Sequence, residues 1–386
     1  MNKFIKNLLF IFWLVMIFVC SCFLFWHQAV SDGSSYLSDL PIHIEVSIHE
    51  TGYSLMNTMF RVLYVVYPHN ITLAAGLAAV TVMTIYAVFF LMKVMLEQMN
   101  VNVQTRKSAL LFFSISSLFI TSIYIPFLYP HFYDRAWSTQ PWHNSTYLLM
   151  RLLGVLALAV YFQIEAHYLD GIRWKDFVLF TVLLTLVNYA KPNFIIGFAP
   201  MMLIFLIKDF IRMRGHGVQH MIKFGSCVLL SLWILVIQYK MLYPVGGNSA
   251  VAVTGERLKI FLSSPISIVQ AAAGLAFPIV ILCMAVRMRY LPSFYVKSLV
   301  MYLITLLEWI FLTETGPRAN HGNFGWGTLL GAFILYLSSC AVLLSLYNKN
   351  KISKKIYLAS WAVYAASIIS GLCYFSILLR GGGYVI

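Results

Sequence analysis

Long apolar runs, each about the length needed to cross a lipid bilayer, leave this chain few ways to fold. A hydrocarbon layer some 30 Å thick takes roughly 20 helical residues to span. Stretches of that kind, bounded by charge or by Gly and Pro, recur at about 7–30, 71–96, 109–129, 146–168, 177–190, 193–207, 220–243, 263–285, 293–313, 325–347 and 356–379. With 61% hydrophobic and 10% charged residues the chain lies outside the range of soluble domains. The expected fold class is therefore an all-α polytopic membrane protein, a single transmembrane domain over 1–386 with about 11 transmembrane or half-crossing helices.

Lys and Arg set the expected orientation. If the N-terminus is cytoplasmic, Lys3, Lys6, Lys93, Arg106, Lys107, Arg173, Lys175, Lys208, Arg212, Arg214, Lys223, Arg287, Arg289, Lys297 and the cluster Lys349 to Lys355 share the cytoplasmic side, and the C-terminus lies outside. The net charge of +14 then reports membrane orientation and calls for no nucleic-acid partner. The first span follows Lys3 and Lys6 but is too long for a signal-peptide core and has no A-x-A cleavage site, so it reads as a retained anchor of a multi-pass cell-membrane protein. Cys20, Cys22, Cys227, Cys283, Cys340 and Cys373 fall within spans without metal-type spacing or a disulfide framework. No metal or cofactor is called for.

The outer side receives the acid and base groups. Only 13 residues are acidic, yet Asp32, Asp39, Glu45 and Glu50 all lie in SDGSSYLSDLPIHIEVSIHETGY (31–53), beside His43 and His49. If the stretch after Pro41 is helical, Asp39 and His43 stand one turn apart and can share a substrate hydroxyl; Asp39 is equally suited to cap that helix. The first outer loop, 31–70, continues into YSLMNTMFRVLYVVYPHN, which reads as a helix along the membrane surface or as a short packed helix. Further outer loops cover 130–145, 244–262 and 314–325. The second carries His131, Asp134, Arg135 and His143 among tryptophans, as binding groups or as solvated interface residues. The last carries Glu314, Arg318 and His321 among glycines, with Arg318 a planar fork suited to phosphate.

Lys191-Pro192 interrupts the apolar run between Asp176 and Lys208. Parity is satisfied by two short half-crossing helices with Lys191 at their outer apex, where it either meets a lipid phosphate or snorkels to the headgroups. Glu308 inside a span is a further candidate, as ligand group or partnered structural carboxylate.

This inventory suits sugar transfer from a lipid-linked phosphosugar. A carboxylate takes the acceptor proton while cations hold the departing phosphate, and no Gly-rich nucleotide loop is present. The order of N-terminal span, acidic first outer loop in Ser38-Asp39-Leu40-Pro41-Ile42-His43, amphipathic helix, broken helices at Lys191-Pro192 and charged late loop resembles the GT-C membrane glycosyltransferase superfamily. The resemblance implies a polyprenyl-phosphate-linked donor, a glycan or lipid acceptor, and an acid of the first loop as base: Asp39, with Asp32 competing and His43 assisting. Lys191, Arg318, Asp134, Arg135 and His321 are then the expected substrate and phosphate groups. A transporter or flippase of lipid-linked glycan and a polysaccharide polymerase or ligase remain the alternative functions.

Overall fold

The structure, a computed structural model, describes residues 3–49, 54–127, 137–244, 246–319 and 322–382. Helix α1 (Lys3–Ala29) leads into two short helices, α2 (Leu40–His49) and α3 (Leu55–Val66), which pack as a hairpin before α4 (Asn70–Gln98). The Ser54 hydroxyl caps α3 by accepting from Asn57 N–H. Helix α3 buries Met56, Asn57 and Phe60 and leaves Val62, Val65 and Val66 exposed. Then follow α5 (Val103–Ser116), α6 (Ser145–Glu165), α7 (Trp174–Ala190), α8 (Asn193–Arg212), α9 (Val218–Ser226) and α10 (Leu229–Leu242). The last third holds α11 (Glu256–Ser263), α12 (Pro265–Gly274), α13 (Ala276–Arg287), α14 (Ser293–Phe311), α15 (Gly325–Asn348) and α16 (Lys354–Leu379).

Eight of these, with α9 and α10 joined as one, are long and apolar enough to cross a membrane among the described residues, or nine if α12 and α13, bent by 71°, count as one broken span. One expected crossing is shorter: the 109–129 stretch is helical only to Phe119. The run ending at Ala190, expected over 177–190, forms a helix of 17 residues. Its partner α8, at 20 residues, is long enough to cross alone, so Lys191 sits between the ends of longer helices than the half-crossing pair expected from sequence.

Helix α15 is the axis of the bundle and is wholly enclosed, while α1 and the α9–α10 span are mostly uncovered. Small residues permit this. A Cβ on Gly331 would lie 2.7 Å from Thr305 Oγ1 and 3.0 Å from Tyr302 Cα, so only glycine lets α14 come this close. At the far end of α14 the buried Lys297 ammonium pairs with Glu165 of α6 at 2.5 Å.

Where α5 stops, the chain runs extended through the interior. Irregular backbone at such depth must find partners within the protein. Thr121 N–H donates to Ser367 Oγ, Tyr124 N–H to Ser370 Oγ and Ile123 N–H to Ala273 O. The buried Arg151 guanidinium spans the same seam, donating to Thr139 O at 2.8 Å and Ser117 O at 2.6 Å.

A two-stranded ribbon finishes the end that carries α2 and α3's neighbours. Strands β1 (Val251–Val253) and β2 (Leu312–Glu314) pair antiparallel, Val251 opposite Glu314. The turn after β2 places Gly316 at φ +66°, with its missing Cβ 1.8 Å from Asn248 O, a position no side chain can occupy.

Candidate functional site

The four elements that meet around Lys191 come from widely separated parts of the sequence: the start of α2, the start of α6, the α7–α8 break, and the β2 turn with the start of α15. Asp39 is exposed and directly precedes α2, and its carbonyl accepts from His43 N–H at 3.1 Å one turn on. Its side-chain Oδ2 accepts from Asn144 Nδ2 at 3.4 Å. Asn144 is the N-cap of α6: its Oδ1 accepts from Tyr147 N–H at 2.9 Å and from the Thr146 hydroxyl at 2.6 Å. Thr146 Oγ1 in turn accepts from Lys191 Nζ at 2.9 Å. The ammonium also lies 5.1 Å from the centroid of Trp326, within cation–π range.

Lys191 is held in place because Pro192 ends α7 and starts α8, leaving a break between two helices whose ends are packed. Burial pushes its pKa down to about 8; attraction to Asp39 and Glu314 works against that fall, and repulsion from Arg318 adds to it. His43 is pushed down to about 4 by burial, with Lys191 in the same direction and Asp39 opposing. Its imidazole is therefore neutral at pH 7. The same electrostatic couplings show that Asp39, His43, Lys191, Glu314 and Arg318 share one neighbourhood.

Glu314 organises the late loop. Its Oε1 accepts from Tyr243 OH at 2.6 Å and Arg318 Nε at 2.7 Å, and its Oε2 from Asn323 Nδ2 at 2.5 Å. Burial alone would raise its pKa, but these three hydrogen bonds, with the charge of Arg318, hold it below the usual carboxylate range. Asn323 closes the circle by accepting from Asn193 Nδ2 at 2.9 Å through its backbone carbonyl, next to Lys191. Arg318 thus comes to the site with one edge fixed by a carboxylate.

Asp32 has a different setting. Its Oδ1 accepts from the Ser34 hydroxyl at 2.6 Å and Ser34 N–H at 2.9 Å, bonds that lower its pKa and make it the lead residue of an exposed turn. That loop is anchored to the last helix by Tyr36, which stacks on His27 at 4.7 Å and donates to Leu379 O at 3.2 Å. Asp39, not Asp32, is the first-loop carboxylate that acts on Lys191. Asp134, Arg135 and His321 lie outside the described residues.

Sequence reasoning missed Asn144, Thr146 and Trp326. Asn144-Ser145-Thr146 ahead of an apolar run is an N-cap signal, but nothing in its spacing announces that the cap also faces Asp39. Among the described residues no group of three or more His, Cys, Asp or Glu is placed to hold a metal ion. No protein-family model matches the chain, and no curated protein or solved structure gives a significant match. Helix content and span lengths define a mostly α-helical, multi-pass membrane protein.

Proposed function

We propose that the protein is a GT-C-type membrane glycosyltransferase that moves a sugar from a polyprenyl-phosphate-linked donor to a glycan or lipid acceptor on the non-cytoplasmic side of the cell membrane. One observation carries the reading: an exposed carboxylate, Asp39, is joined through Asn144 and Thr146 to Lys191, with Arg318 close enough to act on the same ammonium. Lys191 at the Lys191-Pro192 break and Arg318 of the β2 turn can both face an incoming phosphate without a nucleotide fold, with Asp39 and Glu314 offsetting part of their charge.

In this reaction Asp39 takes the proton of the acceptor hydroxyl, and the acceptor oxygen forms its bond to the anomeric carbon. The bond from that carbon to the phosphate oxygen breaks, and its electron pair leaves with the polyprenyl phosphate. Lys191 and Arg318 stabilise the departing anion. Neutral His43, one turn from Asp39, orients the same hydroxyl. The exposed apolar edge of α3 at Val62, Val65 and Val66 suits a helix lying in the membrane surface, where a lipid donor arrives.

Sugar transfer from undecaprenyl-phosphate-linked hexoses to membrane glycans by purified protein tests the reading. Asp39→Asn is expected to lose about 100-fold or more, within the range that general bases contribute, and Asp32→Asn to stay near wild type. Full activity in Asp39→Asn removes Asp39 as base. The bent α12–α13 pair and the unpartnered Glu308 inside α14 favour the second reading, a transporter or flippase of lipid-linked glycan. Movement of the intact lipid-linked glycan across vesicles without sugar transfer supports that reading instead; polymerisation of repeat units marks a polymerase or ligase.

A further inference from the structure

Resting on that reading, we propose that Asn144 is a positioning residue of the reaction: its side-chain amide holds the Asp39 carboxylate in register with the Lys191 ammonium. The direction of every hydrogen bond in the connection is forced. Lys191 Nζ can only donate, so Thr146 Oγ1 accepts from it. The Thr146 hydroxyl proton is then given to Asn144 Oδ1, which also accepts from Tyr147 N–H. Two donors at one end of the amide fix which end is oxygen, so the Nδ2 end faces Asp39 and donates to Oδ2.

The result is an unbroken run of donors from a cation to a carboxylate, Lys191 to Thr146 to Asn144 to Asp39. Asn144 and Thr146 are each 6% exposed, so this run is shielded from competing water over its middle two members. Its origin is the N-terminus of α6, one of the most enclosed helices of the bundle. Base and cation are therefore mounted on the same rigid point, although one belongs to the first loop and the other to the α7–α8 break. Moving a reacting group by about 1 Å can cost on the order of 100-fold in rate, which is what such a mounting prevents.

Around this run, His43 lies on α2 one turn after Asp39, and Lys191 reaches Thr146 from the α7–α8 break. Glu314 and Arg318 of the β2 turn bind each other, and Arg61 of α3 donates to Ser47 O at 2.7 Å.

Two substitutions separate positioning from capping. Asp and Ser cap helices about as well as Asn, but Asn144→Asp has no N–H to give and faces Asp39 with like charge, and Asn144→Ser is too short to reach it. Asn144→Ser is expected to keep the wild-type melting temperature and a donor KM within about twofold, and to lose kcat by about 10- to 100-fold; Asn144→Asp, which buries a second carboxylate beside Asp39, is expected to lose kcat likewise and some stability with it. In Asn144→Asp the low-pH limb of the rate profile is expected to move up by about one pH unit, because two neighbouring carboxylates resist joint ionisation. The readout that does not need activity is infrared titration of the purified protein labelled with 13C-carboxyl aspartate, the Asp39 band being identified by its loss in Asp39→Asn. An upward move of that band in Asn144→Asp supports the inference. An unmoved band, or a kcat loss matched by an equal loss of folded protein, overturns it. Full sugar transfer by Asp39→Asn instead overturns the glycosyltransferase base, while a moved band leaves the Asn144 to Asp39 connection standing.

Discussion

Glu308 and Glu314 lie on the same run of chain, at the end of α14 and in the strand that follows, and both are nearly sealed from solvent at 8% and 3% exposure. Glu314 is saturated: Tyr243, Arg318 and Asn323 donate to its two oxygens. Among the described residues neither oxygen of Glu308 has a hydrogen-bond partner. It is wedged where three helices touch, its Oε2 standing 3.4 Å from where a Cβ on Gly327 would be and its Oε1 3.9 Å from one on Gly197. The first carboxylate is a clasp that joins the end of α10 to the loop between β2 and α15, and so fixes the loop that bears Arg318. The second, among the described residues, is held by packing. Burial by itself therefore says little about the work a membrane carboxylate does; the donors gathered around it say more.

Removing the clasp is expected to have the largest effect. Glu314→Ala leaves Arg318, Tyr243 and Asn323 without their shared acceptor and should destabilise the protein by about 3 kcal/mol, the scale for breaking a buried pair from one side. It should also loosen polyprenyl-phosphate binding as Arg318 loses its anchor. Thermal unfolding in detergent checks the first, and lipid binding the second. Glu314→Gln, which keeps an acceptor for Tyr243 and Arg318 but turns an N–H toward Asn323, should cost about 1–2 kcal/mol.

Acid provides a milder version of the same test. Glu314 is held below its unfolded value, so its contribution is fully present above the ordinary carboxylate range and fades as pH falls through the lower folded value. Wild type should therefore lose a stability increment below about pH 4 that Glu314→Gln lacks. At the alkaline end, Lys191 titrates near 8, so polyprenyl-phosphate affinity should decline as pH rises past about 8, and Lys191→Met should abolish that decline. The smallest effect belongs to Glu308. With no hydrogen bond to lose, Glu308→Gln should change stability by less than about 1 kcal/mol. A loss of several kcal/mol would mean that Glu308 has a partner in the native membrane and would erase the contrast with Glu314.

The apolar runs made the helices legible, since length and charge boundaries alone locate most spans. The end of this helical stretch at Phe119, where a short 3-10 turn follows α5, was not legible. Ile120, Thr121 and Ser122 are compatible with a longer helix, and what opens the backbone there is the row of hydroxyls on α16, Ser367 and Ser370, more than two hundred residues away. The same holds for the bend between α12 and α13, where Gly274 lets the Trp137 backbone approach. At the site, Asp39 with His43 and the Lys191-Pro192 break could be read locally, from one helical turn and one proline. The resemblance put Asp39 ahead of a competing Asp32; the fold ties Asp32 into its own turn and sets Asp39 in the neighbourhood of Lys191. Asn144, Thr146 and Trp326 read as a cap and its neighbours because their contacts with Asp39 and Lys191 join distant segments.

The most direct test of the shared anion site is undecaprenyl-phosphate binding to the purified wild type and to Lys191→Met at pH 7. The account predicts affinity at least tenfold weaker in the variant with its melting temperature retained. Equal affinity in the two proteins would contradict it.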